Sequence, residues 1–165
     1  MTLRMRSSIE IRRLVDRQIK ALHLGEDFDA WRFIQAYSRA KGIKTKLSPI
    51  VVPAEAPDFF GAYVRMGEQS IIAFRVNTSW LHQNRILAHE GGHLLLHEPL
   101  QGEVLMRGMS RAAQEEREAE VFASYLLERM ASGALVLEPV RRPRIANISY
   151  TLEEFFASLR GKGEG

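Results

Sequence analysis

The sequence predicts an α+β fold in which a small antiparallel sheet packs on one central helix and several further helices complete the core. Three observations carry this. A proline-free stretch from Leu81 to His97 contains His89-Glu90-Gly91-Gly92-His93, an HExxH spacing. Two runs rich in β-branched and aromatic residues stand immediately upstream, and a Glu-rich segment with a regular apolar stripe follows downstream. With 165 residues and 45% apolar content, the chain is long enough to bury a sizeable core and reads as one domain over 1–165, its motifs concentrated in 60–130.

Taken in order, Ser8 to Leu24 and Phe28 to Lys41 have helical periodicity, with Gly25 and Gly42 as their stops. Trp31, Phe33, Ile34 and Tyr37 are the expected core residues of the second helix. Lys44 to Val52 reads as a strand, and Pro53 and Pro57 mark the loop after it. Phe59 to Arg65 and Ser70 to Val76 flank Met66-Gly67-Glu68 as a β-hairpin. Asn77-Thr78-Ser79 supplies capping residues for the helix that holds the motif. Ser110 is the expected N-cap of the following helix, in which Ala112, Ala119, Phe122, Ala123, Leu126 and Met130 recur at helical spacing. Gly161 to Gly165 are expected to fray.

The chemistry resides in the HExxH. On a helix, positions i and i+4 share a face, so His89 and His93 can offer two neutral nitrogens to one Zn²⁺ while Glu90 stays free to act as a general base. With 5 His and 16 Glu in the chain, the motif would arise by accident in roughly 1 to 2 of 100 shuffled sequences, so context must support it. A small sheet beside an HExxH helix is the zincin-like arrangement, and an edge strand of that sheet could take an extended peptide by β-augmentation.

His97 continues the series at i+8, but a rise of about 1.5 Å per residue puts it roughly 12 Å from His89, too far to share the metal. It is expected to cap or pack at the helix end, and His82 and His23 to be surface or core residues. The chain has no cysteine, so the third ligand must be His, Asp or Glu. Glu116 and Glu120 fall on the apolar stripe of the downstream helix, whereas Glu115 and Glu118 can point elsewhere, and a carboxylate on that stripe needs a compensating partner. Glu116 is the expected ligand, and Glu120, one turn later, the residue that orients a ligand imidazole. The alternative is a solvated, charge-laced helix face. Tyr125 and Tyr150 are candidate oxyanion donors.

Two adjacent glycines weaken a helix interior by roughly 1 kcal/mol each, so Gly91 and Gly92 imply the close approach of another element.

The segments Arg85-Ile-Leu-Ala-His-Glu-Gly-Gly-His-Leu-Leu-Leu-His97 and Glu116-Arg-Glu-Ala-Glu-Val-Phe-Ala-Ser-Tyr-Leu-Leu127 resemble the ImmA/IrrE family of metallopeptidases, whose pattern is roughly AHExGHLLLH followed by ExxANxFAxxLLMP. The resemblance implies a gluzincin-like site with one Zn²⁺, His89, His93 and Glu116 as ligands and Glu90 as catalytic base. Gly91 stands where the family usually has a large apolar residue, Glu120 where Asn or Asp is usual, and Leu126 to Arg129 lacks the Met-Pro ending. The resemblance further implies a regulatory zinc endopeptidase that acts on a separate protein, such as a Cro/cI-type helix-turn-helix transcriptional repressor encoded nearby, often on a phage or other mobile element.

Other classes of function are weighed against this one. A non-catalytic zinc-binding regulator or toxin–antitoxin component, acting by protein binding, would have no use for an uncoordinated acid beside the metal. The first 20 residues hold six basic and two acidic side chains, and Arg141-Arg-Pro-Arg144 forms a second basic cluster. A net charge of +3 with no interleaved aromatic residues argues against direct nucleic-acid binding. No apolar signal segment follows the basic start and no run of 18 apolar residues exists, so the expected location is the cytoplasm, with no membrane partner.

Overall fold

A computed structural model describes residues 4–25, 27–54, 59–101, 111–130 and 150–161. The expected basic cluster at 141–144, the N-cap at Ser110 and the tail after Gly161 lie outside these residues.

Helix α1 (Ser8–Ala21) begins at Ser7, whose side chain accepts from Glu10 N, and buries Ile11, Val15 and Ile19 at helical spacing. It stops where His23 and Gly25 take positive φ. Helix α2 (Ala30–Lys41) is capped by the Asp29 carboxylate on Arg32 N and ends at Gly42 in the left-handed conformation. Phe33 and Ile34 are fully buried, whereas Trp31 and Tyr37 pack on the core while partly exposed.

Strands β1 (Lys44–Val51), β2 (Gly61–Met66) and β3 (Gln69–Arg75) form the main sheet, which β4 (Leu100–Gln101) and β5 (Tyr150–Thr151) extend to the order β4-β2-β3-β1-β5. The α+β, zincin-like class is as expected, but the sheet is mixed rather than antiparallel. Among the described residues only β2 and β3 pair antiparallel, with Tyr63 opposite Ile72, while β1 runs parallel to β3, β4 to β2 and β5 to β1. Side-chain patterning specifies which residues face the core, but strand direction depends on how the connections return.

Helices α3 (Trp80–Leu96) and α4 (Ala113–Met130) pack with α1 and α2 on one face of the sheet, around Tyr63, Ile72 and Phe74. On the other face, α5 (Leu152–Gly161) covers Ala62, Val64, Ile71 and Ala73 with Phe155 and Leu159. Cover on both faces explains why β3 is buried without alternation from Ser70 to Phe74.

Polar side chains fix the direction of α3. Ser79 caps it by accepting from His82 N, an interaction worth about 1 kcal/mol. Buried Asn84 accepts from Ala30 N at 3.0 Å and donates to Trp80 O at 3.1 Å, tying α3 to the start of α2. Gln83 donates to Val76 O and Thr78 O, tying it to the end of β3. The glycine pair is explained by packing. A Cβ on Gly92 would lie 3.2 Å from Ala119 Cα and 3.2 Å from Phe122 Cβ, so α4 crosses α3 at a separation that only glycine permits without a shift.

Candidate metal centre

The i, i+4 geometry of α3 and the approach of α4 bring His89, His93 and Glu116 together, with one ligand-type atom from each lying within 4.8 Å of the others. Glu116 Oε2 is 3.0 Å from His89 Nε2, and Glu116 Oε1 is 3.0 Å from His93 Nε2. His93 is 1% exposed. Its Nε2 nevertheless makes no hydrogen bond, although the Glu116 oxygen is close. A buried lone nitrogen converging with a second imidazole and a carboxylate suits a small divalent cation, and a His₂Glu donor set suits zinc.

The outer nitrogens of both rings are held from behind. His89 Nδ1 lies 3.1 Å from Glu120 Oε2, and Glu120 Oε1 also pairs with Arg85 from α3. His93 Nδ1 lies 2.9 Å from His97 Nδ1, and His97 Nε2 lies 2.8 Å from Glu118 Oε1. The expectation that Glu116 and Glu120 occupy the apolar face of α4 needs correction. Both side chains are about half exposed at the margin of that face, and the carboxylate buried among Ala119, Phe122 and Ala123 belongs to Glu118. Burial alone would raise the Glu118 pKa, but the His97 ring, the Arg6 backbone N–H and the Arg6 guanidinium outweigh it and hold the carboxyl below its usual range.

Glu90 is 8% exposed and lines a cleft of about 290 Å³ with Phe60, Gly61, His82, Ile86 and His89. Burial first, and the Glu116 carboxylate second, push its carboxyl up to about 8 against the opposing pull of Arg111. The same surroundings press the His93 imidazole down to about 2, through burial and then through Arg111, His89 and His97. His93 is thus neutral, as a metal ligand must be. The Arg111 side chain is itself 4% exposed. It donates to Glu98 O and Glu115 Oε2 and stacks over the Tyr63 ring.

One wall of the cleft is the start of β2. Among the described residues β4 pairs with β2 only at Val64 and Arg65, so Gly61 to Tyr63 present an unpaired edge beside Glu90.

Neither tyrosine singled out as an oxyanion donor comes to this cleft. The Tyr125 hydroxyl donates to the Asp16 carboxylate on α1, and Tyr150 lies on β5, at the opposite edge of the sheet from β2, beneath Lys46. Helical spacing set Tyr125 one turn beyond Val121, on a face that turns toward α1. His82, expected only to be a surface or core residue, lines the cleft, packs its ring at a tilt against Phe60 and meets the Thr78 hydroxyl at 2.7 Å. Its position two turns before His89 on the same helix was the available signal. His97 stands outside the three-residue group, as its spacing requires.

Residues 40–128 match the family model Peptidase_M78, the IrrE N-terminal-like domain, over just more than half of the chain. The chain belongs to this family. No curated protein matches it. As a Peptidase_M78 member the protein is a metallopeptidase of the ImmA/IrrE type, and its substrate class is protein. Among the described residues no helix is long and apolar enough to cross a membrane.

Proposed function

We propose that this Peptidase_M78 protein is a zinc-dependent regulatory endopeptidase, with His89, His93 and Glu116 as ligands and Glu90 as catalytic base. The observation that carries the reading is the convergence of His89 Nε2, His93 Nε2 and the Glu116 carboxylate beside an uncoordinated, buried Glu90. A bound zinc would supply Lewis acidity to the attacking water and the scissile carbonyl.

The chain's own groups account for the rest. Glu90 takes a proton from the attacking water and returns it to the leaving amine. Glu120 holds His89 from behind, so that its Nε2 faces Glu116. The Gly61–Tyr63 edge, unpaired among the described residues, gives an extended segment a backbone to pair with, and the tilted Phe60–His82 ring pair flanks the same cleft. An extended chain laid on this edge suits an internal segment of a protein better than a small molecule.

The proposed substrate is a Cro/cI-type helix-turn-helix repressor encoded near this protein, as the ImmA/IrrE resemblance implies. Incubating the zinc-loaded protein with such a repressor should give discrete fragments, and Glu90→Gln should give none. A repressor left intact and unbound would reject the substrate.

A further inference from the structure

We propose that His97 and Glu118 are positioning residues that set the tautomer of His93 and so aim its Nε2 lone pair at His89 and Glu116. The inference rests on the metal site proposed above.

One chain of contacts, from Arg6 through Glu118 and His97 to His93, fixes where the hydrogens sit. Glu118 is 3% exposed, and Oε2 accepts from Arg6 N at 2.6 Å while Arg6 Nη1 reaches Oε1 at 3.4 Å. An ionised carboxylate can only accept, so the His97 Nε2 at 2.8 Å must carry a hydrogen. The His97 tautomer with its hydrogen on Nε2 has a bare Nδ1. That nitrogen lies 2.9 Å from His93 Nδ1, and two facing nitrogens at this distance share one hydrogen, which must come from His93. A neutral His93 with its hydrogen on Nδ1 has a bare Nε2, the atom beside Glu116 that makes no hydrogen bond. The opposite order would set the His97 Nε2 lone pair against the Glu118 carboxylate at 2.8 Å, two acceptors facing each other.

Direction along the chain is therefore set at its far end. His89 has a counterpart in Glu120, but that carboxylate is half exposed and shared with Arg85. Glu118 is buried and anchored by the backbone of Arg6, immediately before Ser7 caps α1, so the segment leading into α1 closes the arrangement from 112 residues away. His97 can take part because it is the C-cap of α3. Its backbone leaves the helix in an extended conformation while its N–H still donates to His93 O, and its ring sits 5.0 Å from that of His93.

Two readouts test this: ring ¹⁵N NMR of the metal-free protein, and zinc affinity by competition with a chromogenic chelator. In the wild type, His93 should be the Nδ1–H tautomer before any metal is added. His97→Leu keeps bulk but offers neither donor nor acceptor. It should move His93 toward the Nε2–H form and weaken zinc binding about 10- to 100-fold. His97→Gln retains an acceptor for His93 and a donor for Glu118, and should recover most of the affinity. Glu118→Gln, nearly isosteric, provides an independent variant should His97→Leu fail to fold; it removes the charge and leaves one acceptor oxygen for two donors, Arg6 N and His97 Nε2, and should lower affinity. Zinc affinities in His97→Leu and Glu118→Gln equal to the wild type, or an Nε2–H His93 in the metal-free wild type, would overturn the inference. A wild type that binds no zinc yet shows the Nδ1–H tautomer would defeat the metal site while supporting the role of His97 and Glu118.

Discussion

Gly61 lies against Glu90. A Cβ on Gly61 would stand 3.2 Å from Glu90 Cγ, 3.0 Å from Ala73 O and 2.7 Å from Ile86 Cγ2. The strand edge and the proposed catalytic base thus stand too close to admit a methyl group without a shift. Gly61→Ala must displace Ile86 and press on the β3 backbone, at a cost of about 1–3 kcal/mol. It should lower the urea midpoint and shift Glu90 enough to reduce turnover by more than the loss of folded protein explains. Unchanged stability and turnover would show that the contact is slack.

Glu116 and Glu120 should separate cleanly in metal affinity. Glu116→Ala removes one of three converging donors and should abolish stoichiometric zinc binding. Glu120→Ala leaves all three in place but frees His89 Nδ1 and Arg85, and should weaken binding by about 10- to 100-fold. Chelator competition on the two variants distinguishes these outcomes. Equal losses would mean that Glu120 is a ligand too.

The metal-free protein should lose stability between pH 6.5 and 8. Glu90 has its pKa raised from 4.5 to about 8, so between those values the folded state holds a proton that the unfolded state has released, and stability falls as pH rises. His93 has its pKa lowered from 6.5 to about 2, so stability falls as pH drops below 6.5. From 4.5 to 6.5 the two slopes oppose; above 6.5 only Glu90 acts. The loss from pH 6.5 to 8 should be about 2 kcal/mol larger in wild type than in Glu90→Gln, where the side chain cannot ionise. Chemical denaturation of both metal-free proteins at the two pH values measures it. Identical slopes would mean that Glu90 is not held in a desolvated site.

The sequence made the site's inner set legible because helix periodicity is rigid. An i, i+4 pair on α3 must share a face, and Glu116 stands at the start of a helix whose apolar residues had to pack somewhere. The glycine pair likewise announced a close crossing, and Gly92 provides it against Ala119 and Phe122. Tertiary rotation was not legible. Whether Glu116, Glu118 or Glu120 turns inward depends on a rotation of α4 about its axis of tens of degrees, which the mixed stripe of Ala and Glu leaves undetermined. His97 was correctly kept out of the metal group on rise per residue, yet its contact with His93 follows from the way α3 ends. Strands of two residues, β4 and β5, are too short to show any period, and the partnership of β1 with β3 is a property of connections rather than residues.

The most direct test of the central claim is the zinc content of the purified, untagged protein, wild type and Glu90→Gln, by elemental mass spectrometry. One zinc per chain in both is predicted, because Glu90 stands beside the donor group and outside it. No zinc in the wild type after incubation with the metal would contradict the proposed centre, and loss of zinc in Glu90→Gln alone would make Glu90 a ligand rather than a base.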